Sequence, residues 1–439
     1  MLPKLVFSNE KRREYGLYCW IMYHTIYVLA MAVHMWHYDA MKFLKPKKKR
    51  IYLDYAAATP IRQAVIDLMK PFLRDQFANA SAIHQEGVKA RLAIDAAREK
   101  VARLLKARPE HVYFTGSGTE SNNLAILGVI EAKRVAGVAY ADMEVLSTRI
   151  EHPSVTQTLL YIEGLGVQVR YAAVSEEGLI QAESLQQLLS EKTVLVTFAY
   201  VNSEIGTVQE VGKLTRVVRA FEKKHTCRIY VHADAAQAPL WLSCELDRLM
   251  VDMLSLDAGK CYGPKGVGVL ILRHGVVLSP VLHGGPQEGG LRPATENVAG
   301  IVGAAEALRI AQAHFDGRVQ KVTHLRNFMI GALLEIEGVV LNGSQAHRVA
   351  NNVNISVPGI DSEFAVVVLD EKGIACSTKS ACSGAAGGGS SVVMEISNDA
   401  SRATSSIRFS LGEETTHTEL KRVVATLQEH VEKTRGFGV

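Results

Sequence analysis

Two side chains of opposite charge each follow a run of residues that is typical of a buried strand. Asp234 follows the run RIYVHA, and Lys260 follows the run VDMLSLDAG. Because open α/β sheets place their chemistry at the carboxyl ends of parallel strands, we expect both side chains at one edge of a sheet. A pyridoxal phosphate site requires this pair, since the lysine forms a Schiff base and the carboxylate keeps the pyridine nitrogen protonated. Taken alone, the pair also fits an aspartate and a lysine on surface loops.

A glycine-rich turn earlier in the chain has the composition of a phosphate-binding turn. Residues 116–123 (GSGTESNN) lie between a predicted strand at 111–115 and a predicted helix at 124–133. Glycines let the backbone approach an anion, and the first amides of a helix point toward it. The dinucleotide pattern is incomplete because Ser121 stands at its third glycine, and the nucleoside triphosphate pattern is not matched. A single phosphate fits this turn, as does an ordinary strand-to-helix connection.

Three further side chains could complete such a site. His152 begins a predicted helix, where its ring could lie over a planar cofactor or cap the helix. Cys382 lies in a loop rich in glycine and serine, a composition that predicts an exposed thiol on a flexible tether. Cys376 lies nearer an apolar run, and we expect it to be a buried small side chain. Arg408 interrupts a strand-like pattern and could bind a carboxylate in bidentate fashion or form a structural ion pair.

The order of predicted elements indicates an α/β fold. Strands alternate with helices from residue 51 to about residue 297, which predicts a mainly parallel sheet covered by helices on both faces. A long polar loop rich in glycine at 283–297 precedes a second, smaller lobe of mixed helices and strands. We therefore predict a large cofactor-binding domain at 65–297 and a small domain made of 51–64 and 298–439. Residues 1–50 are predicted to be an extension.

The composition excludes several functional classes. Hydrophobic residues make up 48% and charged residues 21% of the 439 residues, as in ordinary globular proteins. The formal charge of +4 is concentrated at the start, because residues 1–50 carry ten Lys/Arg and three acidic residues, which leaves the remainder at −3. No nucleic-acid partner is expected from such a charge. The cysteines are scattered and include no Cys-x-x-Cys pair, which indicates a reducing compartment and no metal site; they are Cys19, Cys227, Cys244, Cys261, Cys376 and Cys382.

The first fifty residues allow two interpretations. Residues 16–38 carry no charged side chain and are long enough to span a bilayer, with the basic residues 45–50 on the cytoplasmic side. Three histidines in this run, His24, His34 and His37, lower its hydrophobicity. Alternatively, Met41 is the start and the preceding residues have no role in the fold. No small-residue cleavage site follows, so a secretory signal is not expected. In both interpretations the body of the chain lies in the cytoplasm.

The sequence resembles the cysteine desulfurases, which are pyridoxal phosphate enzymes of the class V aminotransferase group. The resemblance covers residues 51–435 and rests on motifs that occur in the family's order. Each motif is weak alone, and their combination is highly specific. They are YLDYAAATP at 52–60, GTESNN at 118–123, EH at 151–152, NSEIG at 202–206, ADAAQ at 233–237, GKCYGPKG at 259–266, HGG at 283–285, LRPATEN at 291–297, SAC at 380–382 and SIRFSLG at 406–412.

The resemblance implies the α/β type I fold of pyridoxal phosphate transferases, with a seven-stranded sheet, and a homodimer with shared active sites. It also implies a role for each matching residue. Lys260 would form the Schiff base, Asp234 would pair with the pyridine nitrogen, His152 would stack on the ring and Gln237 would contact its phenolic oxygen. The phosphate would be held by Gly118 and Thr119, with Thr295 from the partner subunit. Asn202 and Asp257 are counted among the cofactor contacts, and Arg408, Asn202 and Ser203 among the substrate contacts.

The same resemblance implies a reaction. Cys382 would take the sulfur of L-cysteine as a persulfide and leave alanine, and the long glycine-rich loop would carry that sulfur to acceptor or iron–sulfur scaffold proteins. Two alternatives stay open: a selenocysteine lyase or another lyase or transaminase of the same fold, and a weakly active cofactor-binding subunit that relays sulfur.

Three positions depart from the family's pattern. The family commonly has Ser-x-His before the Schiff-base lysine, whereas this chain has Asp257-Ala-Gly259. A carboxylate that faces a phosphate would repel it unless it is protonated or turned away. Gly259 removes a proton carrier, and Ser203 replaces an asparagine that usually binds substrate. These departures make the substrate contacts and the rate less predictable than the fold.

Overall fold

The computed structural model describes residues 50–313, 315–378 and 389–436. The predicted anchor at 16–38, the possible start at Met41 and the predicted nucleophile Cys382 lie outside these ranges. Within them, every helix is too short or too polar to cross a membrane. From Ile51 onward the chain forms one compact unit. The finer division of that unit near residues 64 and 297 stays a prediction.

The described strands and helices follow one another in the predicted alternation. The strands are β1 Ile51–Tyr52, β2 Val112–Thr115, β3 Glu144–Ser147, β4 Gln168–Tyr171, β5 Thr193–Ala199, β6 Tyr230–Asp234, β7 Met253–Asp257, β8 Gly268–Leu272, β9 Val340–Leu341, β10 Asn352–Ser356, β11 Ile374–Ala375 and β12 Ser406–Ser410. The helices are α1 Gln63–Arg74, α2 Gln85–Leu105, α3 Gly118–Val135, α4 Pro153–Gly164, α5 Ala182–Leu188, α6 Val211–His225, α7 Leu246–Leu249, α8 Val298–Gln312, α9 Phe315–Leu334, α10 Ser362–Glu371, α11 Ser391–Ser397, α12 Ala400–Thr404 and α13 His417–Gly436.

The main sheet has seven strands in the order β2-β8-β7-β6-β5-β3-β4. Strands β3 to β7 pair in parallel with one another, and β8 runs antiparallel to both β2 and β7. The prediction of a mainly parallel seven-stranded sheet is therefore confirmed, with β8 as the reversed strand. Because β5, β6 and β7 are parallel and adjacent, their carboxyl ends lie side by side at one edge of the sheet.

Alternate residues of the sheet contribute to two hydrophobic cores, as the period of two in a strand requires. On β6 and β7, Val231 and Leu254 belong to one core, whereas Tyr230 and Met253 belong to the other. The first core also contains apolar residues of α2, α6 and α8, and the second contains those of α3 and α4. Helices thus cover both faces of the sheet, which explains why its strands are apolar on both sides.

The carboxyl-terminal part adds a second sheet to the first core. Strands β12, β10 and β9 form an antiparallel sheet, and β1 pairs in parallel with β11. Apolar side chains of β10 and β12, such as Ile355 and Phe409, are fully buried in the core that also contains α2 and α8. Strand β1, at the start of the described residues, is therefore hydrogen-bonded to the carboxyl-terminal part through β11. Arg408 on β12 is held by a packed sheet.

One predicted boundary is wrong in a way that affects the site. The helix predicted at 124–133 begins at Gly118, because the side chain of Ser117 caps it by accepting a hydrogen bond from the backbone N–H of Glu120. The glycine-rich turn predicted at 116–123 is therefore mostly the first turn of α3. The first of its amides, the N–H of Gly118, donates to the side chain of Asp257 at the end of β7.

Candidate active site

One cavity of about 870 Å³, measured with its open mouth, lies at the carboxyl ends of β5, β6 and β7. Most of the site residues predicted from the sequence line it together, although they come from segments up to 290 residues apart; they are Gly118, Thr119, His152, Asn202, Ser203, Asp234, Gln237, Asp257, Lys260 and Arg408. The structure therefore brings together residues that the sequence could only assign one by one. Thr295 is exposed and is not among the residues that line the cavity, and Cys382 lies outside the described residues.

Lys260 follows β7 in a short 3₁₀ turn, and its amino group contacts the loop after β1. The Nζ atom donates to the carbonyl oxygens of Ala56 at 3.0 Å and Ala57 at 2.6 Å. The side-chain amide of Gln237 donates to the same Ala56 oxygen at 2.9 Å. A nearby second lysine, Lys265, is exposed and donates to the carbonyl oxygen of Thr59 at 3.2 Å. Of the two lysines, Lys260 is the one that lines the cavity.

Asp234 is held at the end of β6 by two N–H donors. The side-chain amide of Asn122 donates to Oδ2 at 2.7 Å, and the backbone N–H of Ala236 donates to Oδ1 at 3.0 Å. These bonds fix the orientation of a carboxylate that is only 8% exposed. The sequence reasoning missed Asn122, which lies on α3 one turn beyond Gly118. A buried asparagine on the inner face of a helix that follows a glycine turn is the signal that could have found it.

His152 both caps a helix and lines the cavity, so both interpretations of this residue from the sequence apply. Its Nδ1 accepts a hydrogen bond from the backbone N–H of Ser154 at 3.1 Å, as the cap of α4. Because Nδ1 acts as an acceptor, the proton of the neutral ring is assigned to Nε2. Burial lowers the pKa of the His152 imidazole below its usual value, and the Asp234 carboxylate opposes this shift. The ring is therefore predominantly neutral at physiological pH.

A hydrogen-bonded network joins the ring of His152 to Asp234. The Ser154 hydroxyl lies 2.8 Å from Nδ1 of His152, and the Asn122 amide donates to that hydroxyl at 2.9 Å while it also donates to Asp234. Every member of this network is at least partly buried, so the polar groups are oriented by the fold instead of by solvent. The two groups predicted to contact a cofactor ring are thus positioned by one shared asparagine.

Glu151, next to His152 in the chain, is a buried acid behind the cavity. Its Oε1 accepts a hydrogen bond from the Thr148 hydroxyl at 2.6 Å, whereas its Oε2 is buried without a hydrogen-bond partner among the described residues. Burial raises the pKa of the Glu151 carboxyl to about 8, with the nearby Asp234 charge adding to the shift. Glu151 is therefore mostly protonated at neutral pH, which avoids a second negative charge near Asp234.

The predicted phosphate end of the cavity contains a carboxylate. Oδ2 of Asp257 accepts a hydrogen bond from the backbone N–H of Gly118 at 3.0 Å, and Oδ1 accepts one from the backbone N–H of Gly259 at 2.8 Å. A Cβ atom at position 118 would lie 3.2 Å from the Asp257 side chain, so glycine allows this close approach. The Asp257 carboxylate thus contacts the first amide of α3.

Arg408 extends from β12 into the cavity and is 1% exposed. Its guanidinium donates to Oδ1 of Asp54 at 2.8 Å and to the carbonyl oxygen of Ser203 at 2.9 Å. The Nε atom is buried without a hydrogen-bond partner among the described residues. The structural ion pair that was one of the two interpretations from the sequence is therefore present, and the Nε–H is left without an acceptor among the described residues.

Asn202 and Ser203 form the turn that follows β5. The side-chain oxygen of Asn202 accepts hydrogen bonds from the backbone N–H groups of Glu204 and Ile205, and its amide donates to the carbonyl oxygen of Ile150 at 2.7 Å. Asn202 therefore shapes the wall of the cavity, with one N–H of its amide left over. Ser203 accepts a hydrogen bond from Arg408 through its carbonyl oxygen, and it is one of the residues that line the cavity.

Both ends of the cysteine-containing loop are attached beside this wall. Before the loop, Ser377 pairs through its backbone with Arg408. After the loop, the Ser390 hydroxyl donates to Oε2 of Glu204 at 2.5 Å. Cys376 packs against the core, and burial raises the pKa of its thiol to about 12. Its side chain is therefore a neutral packed thiol of intermediate exposure, whereas the sequence predicted a buried one.

The donor set of the cavity can be compared with the groups of pyridoxal phosphate. A lysine, an oriented carboxylate, a neutral imidazole and an amide converge on one space, which fits the aldehyde and the aromatic ring of that cofactor. The amides at the start of α3 fit a phosphate, apart from the Asp257 carboxylate that contacts Gly118. Within residues 50–313, 315–378 and 389–436, no cluster of three or more His, Cys, Asp or Glu side chains could hold a metal ion.

Comparisons with known proteins give one consistent result. The family model described as aminotransferase class-V matches residues 51–423. A protein of Dictyoglomus turgidum named cysteine desulfurase IscS is 38% identical over 389 residues, which cover 88% of this chain and 96% of that protein. A protein of the same name from Methanosarcina thermophila is 36% identical over 391 residues, with 89% and 94% coverage. The solved structure of a NifS-like protein superposes with a TM-score of 0.80 at 33% identity and covers 87% of this chain and 99% of its own.

Proposed function

The chain belongs to the class V aminotransferase family and is a pyridoxal phosphate-dependent cysteine desulfurase, and we propose how its residues carry out the reaction. The observation that carries the proposal is the convergence of Lys260, Asp234, His152 and Gln237 on one cavity at the ends of parallel strands. Lys260 is the residue proposed to hold the cofactor, because it lines the cavity whereas Lys265 does not.

Pyridoxal phosphate supplies an electron sink for bonds at the substrate's α- and β-carbons when it is bound. The chain's own residues orient and complement that group. Asp234 presents a carboxylate whose direction is fixed by Asn122 and Ala236, and we assign it to the pyridine nitrogen. Gln237 is assigned to the phenolic oxygen. His152 is assigned to the face of the ring, where it holds a proton on Nε2 that it can pass to or from the reacting groups.

Arg408 is the residue proposed to bind the substrate carboxylate. It is buried, lies at the cavity and has an unused Nε donor. Arginine suits this role because its planar guanidinium binds a carboxylate through two parallel hydrogen bonds. The contacts with Asp54 and Ser203 hold the guanidinium in place before substrate arrives. Asn202 and Ser203 then complete the wall that the substrate faces.

Cys382 is the residue proposed to accept the sulfur atom. Its thiolate attacks the substrate sulfur, an S–S bond forms and the Cβ–S bond breaks. The electron pair of the broken bond stays on the carbon, which takes up a proton, so L-cysteine and the thiol become L-alanine and a persulfide. The attachment of the loop ends at Arg408 and Glu204 supports this role, because both attachments lie next to the substrate-binding wall.

The partners of the chain are also part of the proposal. A homodimer with shared active sites is proposed from the family resemblance, and it agrees with the position of Thr295, which is exposed and does not line this chain's own cavity. The persulfide would be passed to sulfur-acceptor or iron–sulfur scaffold proteins, in keeping with the names of the relatives. The scattered cysteines support a reducing location such as the cytoplasm.

The test of this proposal is the stoichiometric conversion of L-cysteine to L-alanine by wild type and by Cys382→Ala and Cys376→Ala variants. We expect wild type and Cys376→Ala to release alanine and sulfide in the presence of a thiol reductant, and Cys382→Ala to release neither. Peptide mapping after alkylation should place the persulfide on the peptide that contains Cys382. Sustained alanine production by Cys382→Ala would show that this thiol is not the acceptor.

A further inference from the structure

The start of α3 and the end of β7 meet at the phosphate end of the cavity, where one backbone amide could serve either a cofactor phosphate or a carboxylate of the chain. α3 is 18 residues long, and its first amide, the N–H of Gly118, points into the cavity that Lys260 also lines. Helix amides at this position attract an anion. In this chain the N–H of Gly118 already donates to the Asp257 carboxylate at 3.0 Å. A carboxylate of the same chain therefore already occupies the position where the start of α3 would bind an anion.

The Asp257 carboxylate is held firmly at this point. Its other oxygen accepts a hydrogen bond from the backbone N–H of Gly259 at 2.8 Å, which caps the 3₁₀ turn that carries Lys260. A Cβ atom at position 259 would lie 3.1 Å from this Oδ1, which is a tight contact that would require a small shift of the carboxylate. The absence of a side chain at position 259 makes room for the carboxylate. Asp257 and Gly259 thus form one local arrangement, in which the small residue permits the acid.

A cofactor phosphate that uses the same helix end meets this carboxylate. The phosphate must take the Gly118 amide from Asp257 or bind beside a negative charge. Two like charges that share one hydrogen-bond donor in a partly buried site would repel each other. The ring and the aldehyde of the cofactor, which are assigned to Asp234, His152 and Lys260, would be affected less by this repulsion. The phosphate would then add less to the affinity for the cofactor than it would at a helix start without a carboxylate.

We propose that Asp257 is an internal competitor for the phosphate position at the start of α3 and sets how strongly the chain prefers phosphorylated over unphosphorylated pyridoxal. This inference rests on the proposed function, because it concerns the cofactor of the same cavity. Asp257 is a specificity-determining residue for cofactor binding. Its effect on turnover follows from how much of the cofactor stays bound.

The experiment measures dissociation constants for pyridoxal phosphate and for pyridoxal with the full-length chain stripped of cofactor. Wild type and Asp257→Asn are titrated with each compound, and binding is followed by visible absorbance. Asparagine keeps the size and one acceptor oxygen, and it removes the charge. We expect Asp257→Asn to bind pyridoxal phosphate at least about tenfold more tightly, with the affinity for pyridoxal changed less than about twofold.

Asp54→Asn is the matched control, because it also removes a carboxylate near the cavity but contacts Arg408 and not the amides of α3. Its ratio of the two dissociation constants should equal that of wild type. Thermal melting of the stripped variants checks that each is folded. An Asp257→Asn ratio within twofold of wild type, or weaker binding of the phosphorylated form, overturns the inference and leaves the cofactor assignment standing. Failure of wild type to bind either compound overturns the cofactor assignment and the inference together.

Discussion

Glu151 provides a test of the charge state of the site that does not depend on turnover. Burial raises the pKa of its carboxyl to about 8 from the ordinary value of 4.5. In the unfolded chain the proton is lost near pH 4.5, whereas the folded protein keeps it up to about pH 8. The folded state therefore binds one more proton between these values, and the contribution of Glu151 to stability falls as pH rises. The variant Glu151→Gln cannot ionise and lacks this dependence.

The size of the effect follows from the linkage relation. One proton of difference changes the free energy of unfolding by about 1.4 kcal/mol per pH unit. From pH 5.5 to 7.5, wild type should lose at most about 3 kcal/mol relative to Glu151→Gln. Glutamine keeps the acceptor for the Thr148 hydroxyl, and any cost of its buried amide N–H groups is the same at every pH. The slope of the difference against pH is thus the quantity that reports on Glu151.

Urea unfolding of both proteins at pH 5.5, 6.5 and 7.5, with the same cofactor load, measures this slope. Titrating groups that the two proteins share cancel in the difference. The matched control is Glu176→Gln, which makes the same chemical change at an exposed position and should follow wild type at each pH. A constant difference between wild type and Glu151→Gln across the three pH values would refute the conclusion that Glu151 is protonated in the fold.

Two further predictions concern the groups that position cofactor and substrate. Asn122→Ala removes the donor to Oδ2 of Asp234 and to the Ser154 hydroxyl, and it should weaken cofactor binding about tenfold by absorbance titration. Asn123→Ala is its control, because that amide donates to the backbone carbonyl oxygens of Thr119 and Ser154 and not to Asp234. Unchanged binding in Asn122→Ala would contradict the assignment. Arg408→Lys keeps the charge but loses bidentate geometry, so it should raise the KM for cysteine about 10- to 100-fold with a smaller change in kcat. If Arg408→Lys weakened cofactor binding by the same factor as it raised the KM for cysteine, Arg408 would be purely structural.

The sequence predicted the parts of the site that depend on local pattern and strand order. Apolar runs that end in Asp234 and Lys260 indicated parallel strands, and the alternation with helices indicated the sheet that places both residues at one edge. The structure confirms the fold on which this argument rests. For His152 the sequence allowed a helix cap or a residue beside a cofactor. In the structure one ring nitrogen caps α4 and the residue also lines the cavity.

The contacts that could not be predicted join residues far apart in the chain. The bond from Asn122 to Asp234 spans 112 residues, the ion pair of Arg408 with Asp54 spans 354, and the bond from Gly118 to Asp257 spans 139. Such partners depend on how helices pack on the sheet, which periodicity does not specify. Helix α3 begins at Gly118, before the predicted start at residue 124, because the side chain of Ser117 caps it there. The burial of Glu151 is likewise a property of packing.

The central claim is that Lys260 is the residue that holds the cofactor. Borohydride reduction of the protein with bound pyridoxal phosphate, followed by peptide mapping, tests it in wild type, Lys260→Ala and Lys265→Ala. We predict that wild type and Lys265→Ala carry the reduced cofactor on the peptide that contains Lys260, and that Lys260→Ala carries none and loses the visible absorbance band. A retained band and a labelled peptide in Lys260→Ala, above all one labelled at Lys265, would contradict the account.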